Sequence, residues 1–366
     1  MSLLKRLVIK QLRNLQSVSV DLSPTINIFY GDNGEGKTSI LEAVALLGLG
    51  RSFRSHKTRS LVNHQETELT VFAEVFFADA WVPVGVQKFR NGRGLIRVAG
   101  ETVRSASTLA KQLPLLIINA DSFQLIEGSP AQRRQFLDWM VFHVKPGFSR
   151  LWKDLQKILK QRNSLLRRDK IGYSEMEPWD VELVRVAHGI DAARSEVFTL
   201  FAPLFSQLET EFTGPSFKIE LEYSRGWDGN KNLESVLKAD FERDRRAGYT
   251  RHGPQRADIT ILARQKPAVE VLSRGQEKAL ICAMTIAQAQ LYQQCMGQDC
   301  VFLVDDLLAE LDIAHSQKLV SWLTALNGQV LVTGVSKEAV TAAWKNEDTA
   351  ISVFHVKRGE VELVAV

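Results

Sequence analysis

The sequence predicts an α/β fold, in which a parallel sheet built from both ends of the chain carries a mainly helical lobe inserted between them. Three patterns support this fold. About the first 90 residues alternate as strands do, residues 129–212 change to a helical period, and strands and helices alternate again beyond Thr250. We therefore expect residues 1–120 and 249–366 to form a discontinuous lobe I and residues 121–248 to form a helical lobe II.

The composition excludes several classes of protein. With 45% hydrophobic and 24% charged residues, the chain has an ordinary globular balance, and its net charge of +4 permits a nucleic-acid partner without demonstrating one. The cysteines (Cys282, Cys295 and Cys300) have no metal-binding spacing, which favours a reducing compartment. Residues 279–298 are uncharged, but their five glutamines argue against a membrane span. We therefore expect a cytoplasmic protein with no membrane partner.

A phosphate-binding loop is predicted directly after the short apolar run of residues 25–30, which we interpret as a strand. Residues 31–38, GDNGEGKT, fit the pattern GxxxxGK[ST], and a helix is expected to begin beside Ser39. Backbone amides of such a loop bind phosphate oxygens. Lys37 is expected to act in catalysis on the β and γ phosphates and Thr38 to bind Mg²⁺. The predicted ATP-binding residues of the loop are Gly31, Asp32, Asn33, Gly34, Glu35, Gly36, Lys37, Thr38 and Ser39.

An acidic second part of the site is predicted where the apolar run Val301–Val304 ends in Asp305 and Asp306. Ligands of open α/β sheets bind at the carboxyl ends of the strands, so this run would deliver carboxylates to the phosphate loop. We expect Asp305 to hold Mg²⁺ and Asp306 to orient or deprotonate the attacking water. The alternative is a pair of acids that only caps the next helix.

A basic stripe is predicted on the first long helix of the inserted segment, to one side of an apolar face. A row of this kind can follow DNA phosphates without reading bases, although most charged helix faces are simply solvated. The candidate DNA contacts on the stripe are Arg150, Lys153, Lys157, Lys160 and Arg167. Arg51 and Arg54 begin a second basic cluster, which fits an exposed loop, a DNA contact or a lid near the nucleotide.

Residues 272–276, LSRGQ, precede a long helix predicted from about Gln276. Ser273 could simply cap that helix. The segment also resembles the LSGGQ signature of ABC ATPases, and residues 308–312 resemble the D-loop of that superfamily, with Asp312 as its acid. The resemblance implies that one subunit closes over the ATP of the other through Ser273, Arg274, Gly275 and Gln276. The active unit would then be an ATP-dependent homodimer.

The chain resembles the RecF family of bacterial recombination mediators along nearly its whole length. The matching stretches include residues 11–15, 31–43, 50–55, 128–138, 253–258, 272–278 and 303–312. The resemblance implies an ABC-ATPase head with an antiparallel β subdomain beside the phosphate-loop sheet, an inserted helical lobe and no long coiled coil. It also implies that Arg13, at the end of the first strand, contacts the nucleotide.

The same resemblance implies a function in DNA repair, recombination and replication and in the SOS response. Two subunits with bound ATP and Mg²⁺ would dimerise on DNA, whether ssDNA, dsDNA or gapped junctions. They would help a RecR-like partner to load recombinase, and hydrolysis would release the dimer. We expect a weak, DNA-stimulated ATPase that is associated with the nucleoid.

The catalytic end departs from the usual ABC pattern at two positions. Asp306 stands where most ABC ATPases carry Glu, which predicts slow hydrolysis, and Val332-Thr333-Gly334 replaces the segment that carries their switch histidine. Gln124 is a candidate for the Gln-loop residue. A transport ATPase subunit and an ATP-binding structural clamp with negligible turnover stay open as alternatives. A GTPase fits less well, because residues 230–233, NKNL, lack the last residue of NKxD.

Overall fold

The computed structural model describes residues 2–55, 57–168, 170–213, 218–306, 311–344 and 350–364. The chain forms two compact units: Met1–Ser122 with Lys278–Val366, and Phe123–Glu277. The first boundary falls within two residues of the predicted one. The second differs from the prediction, because residues 249–277 pack within the second unit instead of the first.

The strands and helices follow one another along both units. The strands are β1 (Leu3–Leu12), β2 (Leu15–Asp21), β3 (Ile26–Tyr30), β4 (Glu68–Phe77), β5 (Ala80–Phe89), β6 (Gly94–Val98), β7 (Glu101–Val103), β8 (Leu115–Ile118), β9 (Ile219–Ser224), β10 (Asp258–Ala263), β11 (Lys266–Pro267), β12 (Val301–Val304), β13 (Val330–Gly334), β14 (Ile351–Lys357) and β15 (Glu360–Val364). The helices are α1 (Lys37–Leu49), α2 (Ala106–Gln112), α3 (Gln124–Glu127), α4 (Pro130–Val144), α5 (Phe148–Leu166), α6 (Tyr173–Thr213), α7 (Leu233–Ala239), α8 (Phe241–Ala247), α9 (Ala268–Val271), α10 (Arg274–Met296), α11 (Ile313–Ala325) and α12 (Lys337–Ala342).

The first unit contains an antiparallel sheet with the strand order β2-β1-β4-β5-β6-β7. Its strands alternate as the sequence predicts: Leu69, Val71 and Ala73 of β4 are buried, and the residues between them are partly exposed. Alternation of this kind is typical of a sheet that packs on the core with one face only. The antiparallel β subdomain implied by the family resemblance is therefore confirmed.

The second sheet of the first unit has the order β15-β14-β3-β13-β12-β8, and it is parallel from β14 to β8. Val301–Val304 of β12 is buried at every position, as expected for a parallel strand covered on both faces. Because parallel strands end at the same edge of their sheet, the residues that follow β3, β12 and β13 come together. The phosphate loop follows β3, and Asp305 follows β12.

The second unit combines helices α4–α8 with a small antiparallel sheet in the order β11-β10-β9. Beyond Thr250, where the sequence predicts alternating strands and helices around the parallel sheet, residues 259–263 pair with β9 and stay outside that sheet, and residues 268–271 form helix α9. Helix α6 continues through Pro203, although a proline inside a helix usually kinks or ends it. Phe201 and Phe205 on either side are buried, and such packing stabilises a helix enough to offset a lost hydrogen bond.

Helix α5 buries one arginine among its apolar residues. Arg162 is fully buried, and its guanidinium donates to Asp180 of α6 and to Asp244 of α8, each at 2.7 Å. It also donates to the hydroxyl of Thr250 at 2.9 Å. A buried charge needs such partners, because removing one of them leaves an uncompensated charge in the core. Arg162 thus ties three elements of the second unit together.

Among the described residues, no helix is long and apolar enough to cross a lipid bilayer. No long coiled coil is evident in this part of the chain either, as the sequence predicts.

Candidate functional site

The phosphate loop closes around the ammonium group of Lys37. This group is buried, and it donates to the carbonyl oxygens of Gly31 at 2.7 Å and of Asp32 at 3.0 Å. Gly36 caps helix α1 with a φ of 118°, and a Cβ at this position would lie 2.8 Å from the side chain of Leu15. Only glycine fits there without strain. The loop therefore has the compact backbone and the buried cation that phosphate binding requires.

Residues distant in sequence hold the loop in this conformation. The Asn14 side chain donates to the carbonyl of Gly34 at 3.2 Å. The Glu35 carboxylate accepts the backbone N–H of Arg358, and the Glu35 carbonyl accepts the N–H of Gly359 at 3.0 Å. The turn between β14 and β15 thus stabilises the phosphate loop through Glu35. The sequence did not predict this contact.

The acidic end of β12 meets the start of helix α1. The Thr38 hydroxyl donates to Oδ1 of Asp305 at 2.9 Å, so the two predicted Mg²⁺ ligands are direct neighbours. The Thr333 hydroxyl, at the end of β13, donates to the same oxygen at 2.7 Å. Burial raises the pKa of the Asp305 carboxyl, while the hydrogen bonds from Thr333 and Thr38 act in the opposite direction.

Asp306 has the left-handed backbone conformation, with a φ of 52°. Its N–H donates to the Thr333 hydroxyl at 2.9 Å. Its Oδ1 is buried, and no described residue forms a hydrogen bond with it. A buried carboxylate oxygen without a hydrogen bond from the protein destabilises the fold unless a water or a ligand donates one.

The residues present fit a Mg²⁺ site. This ion is usually bound through one or two protein oxygens together with waters and substrate phosphates. Thr38 and Asp305 supply such oxygens, and the unpartnered Oδ1 of Asp306 could accept a hydrogen bond from a water. The described residues contain no cluster of three or more acidic, histidine or cysteine side chains that could hold a metal by themselves.

Arg13 is held by a buried acid that the sequence analysis missed. Its Nε and Nη2 donate to the Glu42 carboxylate at 2.5 and 2.7 Å, and Glu42 is fully buried in helix α1. The same carboxylate accepts the hydroxyl of Ser52 and lies 3.7 Å from Arg54. One acid thus positions two of the predicted functional arginines. A lone acid in the apolar helix after the phosphate loop was the available signal.

We expect Glu42→Gln to weaken ATP binding by roughly tenfold. The change keeps the size of the side chain but removes a charge-assisted bidentate pair, which is typically worth about 1.5–3 kcal/mol. Arg13 and Arg54 would lose their common anchor. Titration with a fluorescent ATP analogue measures the effect, and Glu66→Gln at an exposed position is the matched control. Unchanged affinity for the analogue would mean that Arg13 does not serve the nucleotide.

A cavity of about 510 Å³ adjoins the turn between β1 and β2, one residue of which contacts the phosphate loop. Arg13 and Asn14 belong to its wall, and Asn14 also contacts the loop at Gly34. Its other lining residues are Gln16, Arg59, Ser60, Val62, Asn63, His64 and Arg90. A cavity of this volume is of the size that small-molecule ligands occupy.

The signature-like segment begins helix α10, two residues earlier than predicted, and lies in the second unit. Ser273 is exposed and forms a capping box with Gln276: the Ser273 N–H donates to Gln276 Oε1 at 2.9 Å, and the Gln276 N–H donates to the Ser273 hydroxyl at 3.4 Å. The capping role is thus present. Arg274 forms ion pairs with Glu127 and Glu277. Gly275 is exposed, so no side chain covers the first turn of α10 at this position.

Of the predicted D-loop, residues 308–312, the structure describes only the last two residues. Residues 307–310 lie outside the described residues. Asp312 caps helix α11 by accepting the N–H of His315 at 2.9 Å, and this bond lowers the pKa of the exposed Asp312 carboxyl. Gln124 is the first residue of the short helix α3 in the second unit, and its Gln-loop role stays a prediction.

The predicted DNA contacts of the second unit lie on one exposed side of α5, including its C-cap residue. These residues are Arg150, Lys153, Lys157, Lys160 and Arg167. The opposite side of the helix is buried through Phe148, Leu155 and Ile158. In the first unit, Arg51 is exposed, and Arg54 lies 3.7 Å from the Glu42 carboxylate. The side chains of the stripe are exposed, although Nε of Arg167 donates to the carbonyl of Gly248 at 3.1 Å. Their contact with DNA stays a prediction.

The parallel sheet, the closed phosphate loop and the acidic strand end define the head of an ABC-type ATPase. The sequence model of the family described as RecF/RecN/SMC N terminal domain matches residues 3–362. Two solved chains, described as the recombination mediator protein RecF with ATP and with ATPrS, share the fold with TM-scores of 0.88 and 0.86. Each is 24% identical and is matched over 98% of its length by the whole of this chain. The Smc head domain of Pyrococcus furiosus is more distant, with a TM-score of 0.59.

Curated relatives are closer in sequence. The DNA replication and repair proteins RecF of Cellvibrio japonicus and Saccharophagus degradans are each 46% identical over 364 residues. The alignments cover 99% of this chain and 100% of the first relative, and 98% of both chains for the second. The chain belongs to the RecF family.

Proposed function

We propose that the protein is a DNA-binding ATPase clamp that acts in recombinational repair of gapped DNA and stalled replication forks. The cluster of Thr38, Asp305 and Asp306 at the phosphate loop carries this proposal. It combines oxygens that fit Mg²⁺ with a carboxylate oxygen, Oδ1 of Asp306, that can accept a hydrogen bond from a water. Relatives named for DNA replication and repair, and similar structures described within the RecFOR pathway, support the choice of process. The clamp would act in the cytoplasm, close to the nucleoid.

The residues of the site would divide the chemistry of ATP hydrolysis among them. The loop amides and Lys37 would bind the phosphates, and Thr38 with Asp305 would hold Mg²⁺. The ion neutralises developing phosphate charge when it is bound. Asp306 would orient the attacking water or accept its proton. Its side chain is one methylene shorter than that of Glu, which supports slow turnover.

The cavity beside Arg13 would take the nucleoside part of ATP. It lies on the Asn14 side of the phosphate loop, and its wall combines guanidinium, amide and hydroxyl groups. Such groups can stack on a base and bind its polar edge. With the nucleoside in this cavity, the phosphates of ATP would lie at Lys37 and the base would lie outside the phosphate loop.

ATP would join two subunits, and the joined clamp would hold DNA. The exposed Ser273 at the start of α10 would serve the nucleotide of the partner subunit, so each ATP would bridge the dimer. The basic stripe of α5 would follow phosphates of ssDNA, dsDNA or a gapped junction. A RecR-like partner would then recognise the DNA-bound dimer and load recombinase, and hydrolysis would release the subunits.

Changing Lys153, Lys157 and Lys160 to alanine should weaken gapped and blunt duplex binding alike. If all three contact phosphates, the slope of log affinity against log salt should flatten by about 2.7 for duplex DNA. Alanine preserves the helix, so the loss should reflect charge alone. Fluorescence anisotropy at several salt concentrations measures the slope.

A matched triple variant controls for net charge. Lys111, Lys266 and Lys357 are exposed on three separate elements, and their change to alanine removes the same charge. Its slope should equal that of the parent. If the stripe variant and the control variant behaved identically, the DNA path would lie elsewhere.

Sedimentation velocity tests the clamp itself. We expect a monomer without nucleotide, a dimer with MgATP, and a larger fraction of dimer when gapped duplex is added. A blunt duplex of equal length should promote the dimer less than the gapped one does. A monomer under all of these conditions would contradict ATP-dependent dimerisation.

A further inference from the structure

Thr333 lies at the centre of the catalytic end of the parallel sheet. It is fully buried in β13, the strand between β3 with its phosphate loop and β12 with its two acids. Its single hydroxyl forms both of the hydrogen bonds that link β13 to those acids. It donates to Oδ1 of Asp305 at 2.7 Å and accepts the backbone N–H of Asp306 at 2.9 Å.

The second of these bonds fixes an uncommon backbone conformation. Asp306 has a φ of 52°, in the left-handed region that is uncommon for non-glycine residues and that aspartate adopts more readily than most when local hydrogen bonds hold it. The Thr333 hydroxyl is the partner of the Asp306 N–H in this conformation. With the N–H held there, Oδ1 of Asp306 stays buried and without a partner among the described residues.

The next position along the strand cannot supply such a group. A Cβ on Gly334 would lie 2.1 Å from Cγ2 of Val340, so any side chain at 334 would clash with Val340 of helix α12. The polar contact between the end of β13 and the acids therefore depends on residue 333. A threonine provides it with one hydroxyl that donates on one side and accepts on the other.

We propose that Thr333 is the positioning residue for hydrolysis, holding the backbone of Asp306 so that its carboxylate points at the attacking water. This inference rests on the proposed role of Asp306. Thr333 acts through Asp306 and does not itself touch the reacting atoms. Its effect should therefore appear in kcat, and it should vanish once Asp306 has lost its function.

Thr333→Val is the central variant, because it keeps the shape of the side chain and removes the hydroxyl. We expect kcat for MgATP to fall by about 10- to 100-fold, the range typical of a displaced catalytic group, with KM changed by less than about threefold. Thr333→Ser keeps the hydroxyl and should restore most of the turnover. Thr285→Val is the matched control, because Thr285 is a buried threonine whose hydroxyl bonds back to Ile281 within α10.

The double variant shows whether Thr333 acts through Asp306. Asp306→Asn should hydrolyse ATP slowly, and Thr333→Val with Asp306→Asn should be no slower than Asp306→Asn alone, within about twofold. Binding of a non-hydrolysable ATP analogue should be preserved in all of these variants. Thr333→Val should lower the thermal midpoint, because two buried hydrogen bonds are lost, and by the same amount in both Asp306 backgrounds. A merely structural threonine would instead reduce turnover in the Asp306→Asn background as well as in the parent.

Each possible outcome decides between clear alternatives. If Asp306→Asn is slow while Thr333→Val turns over at the parent rate, the positioning role is wrong and the proposed site survives. Additive losses in the double variant also overturn the role, because they show that Thr333 acts independently. If Asp306→Asn itself keeps the parent rate, the catalytic assignment of Asp306 fails, and the inference about Thr333 fails with it.

Discussion

Lys37→Ala should abolish ATP hydrolysis and ATP-dependent dimerisation while the fold persists. The ammonium of Lys37 is the buried cation of the phosphate loop, bonded to the carbonyls of Gly31 and Asp32. Its contact with phosphate would be charge-assisted, worth about 1.5–3 kcal/mol in binding, and the loss in turnover should be roughly 100-fold or more. Phosphate release and sedimentation with MgATP measure the two effects.

A surface lysine provides the control for this experiment. Lys266→Ala removes the same charge at an exposed position of β11 and should behave as the parent does. Circular dichroism should show an unchanged fold for both variants. Phosphate release at the parent rate from Lys37→Ala would overturn the assignment of the ATP site.

Ser273→Arg should block dimerisation and hydrolysis while each subunit still binds ATP. The substitution places bulk and charge at the exposed start of α10, where the γ-phosphate of the partner's ATP would dock. A simple capping role predicts something different: a stability loss of about 0.5–2 kcal/mol with dimerisation intact. Equilibrium ATP binding measured beside sedimentation separates the two interpretations.

Ser273→Asp sharpens the test, because aspartate caps helices as well as serine does. Its carboxylate would repel a phosphate, so a composite site predicts loss of the dimer, whereas the capping role predicts a normal protein. Mixing gives an independent check. A Lys37→Ala subunit paired with a Ser273→Arg subunit carries both lesions in one shared site and none in the other. Some hydrolysis should return unless turnover needs both sites; dimerisation of Ser273→Arg alone would rule out the shared site.

The parts of the site that are local in sequence could be predicted, and the structure brings them together. The phosphate loop is one contiguous motif, and the acids follow one buried strand, so pattern and context sufficed to predict that Lys37, Thr38 and Asp305 lie close together. For Thr333, contact with the two acids could not be predicted. Its two hydrogen bonds depend on the order of strands β3, β13 and β12, which no local pattern specifies.

The errors arose where partners are far apart in sequence. Residues 259–263 have a strand pattern, but the pattern does not say that their partner is β9 instead of the parallel sheet. That pairing moves the lobe boundary from 249 to 278. Glu42 was overlooked for a related reason. It looks like an isolated acid in an apolar helix, and its role depends on a contact with Arg13, from the turn between β1 and β2, which no local pattern shows.

The pairing of β3 has a consequence for how the protein is made. Its neighbours β13 and β14 begin at Val330 and Ile351, so the first strand of the nucleotide site must wait for nearly the entire chain. At about 5–20 residues per second, that wait on the ribosome is on the order of 15 to 60 s. The antiparallel sheet, whose strands all lie between Leu3 and Val103, can close long before. A prematurely terminated chain would keep that sheet but expose the apolar edges of β3. Chaperones and proteases would then recognise the fragment, and without β12 and β13 it would not form a complete ATP site.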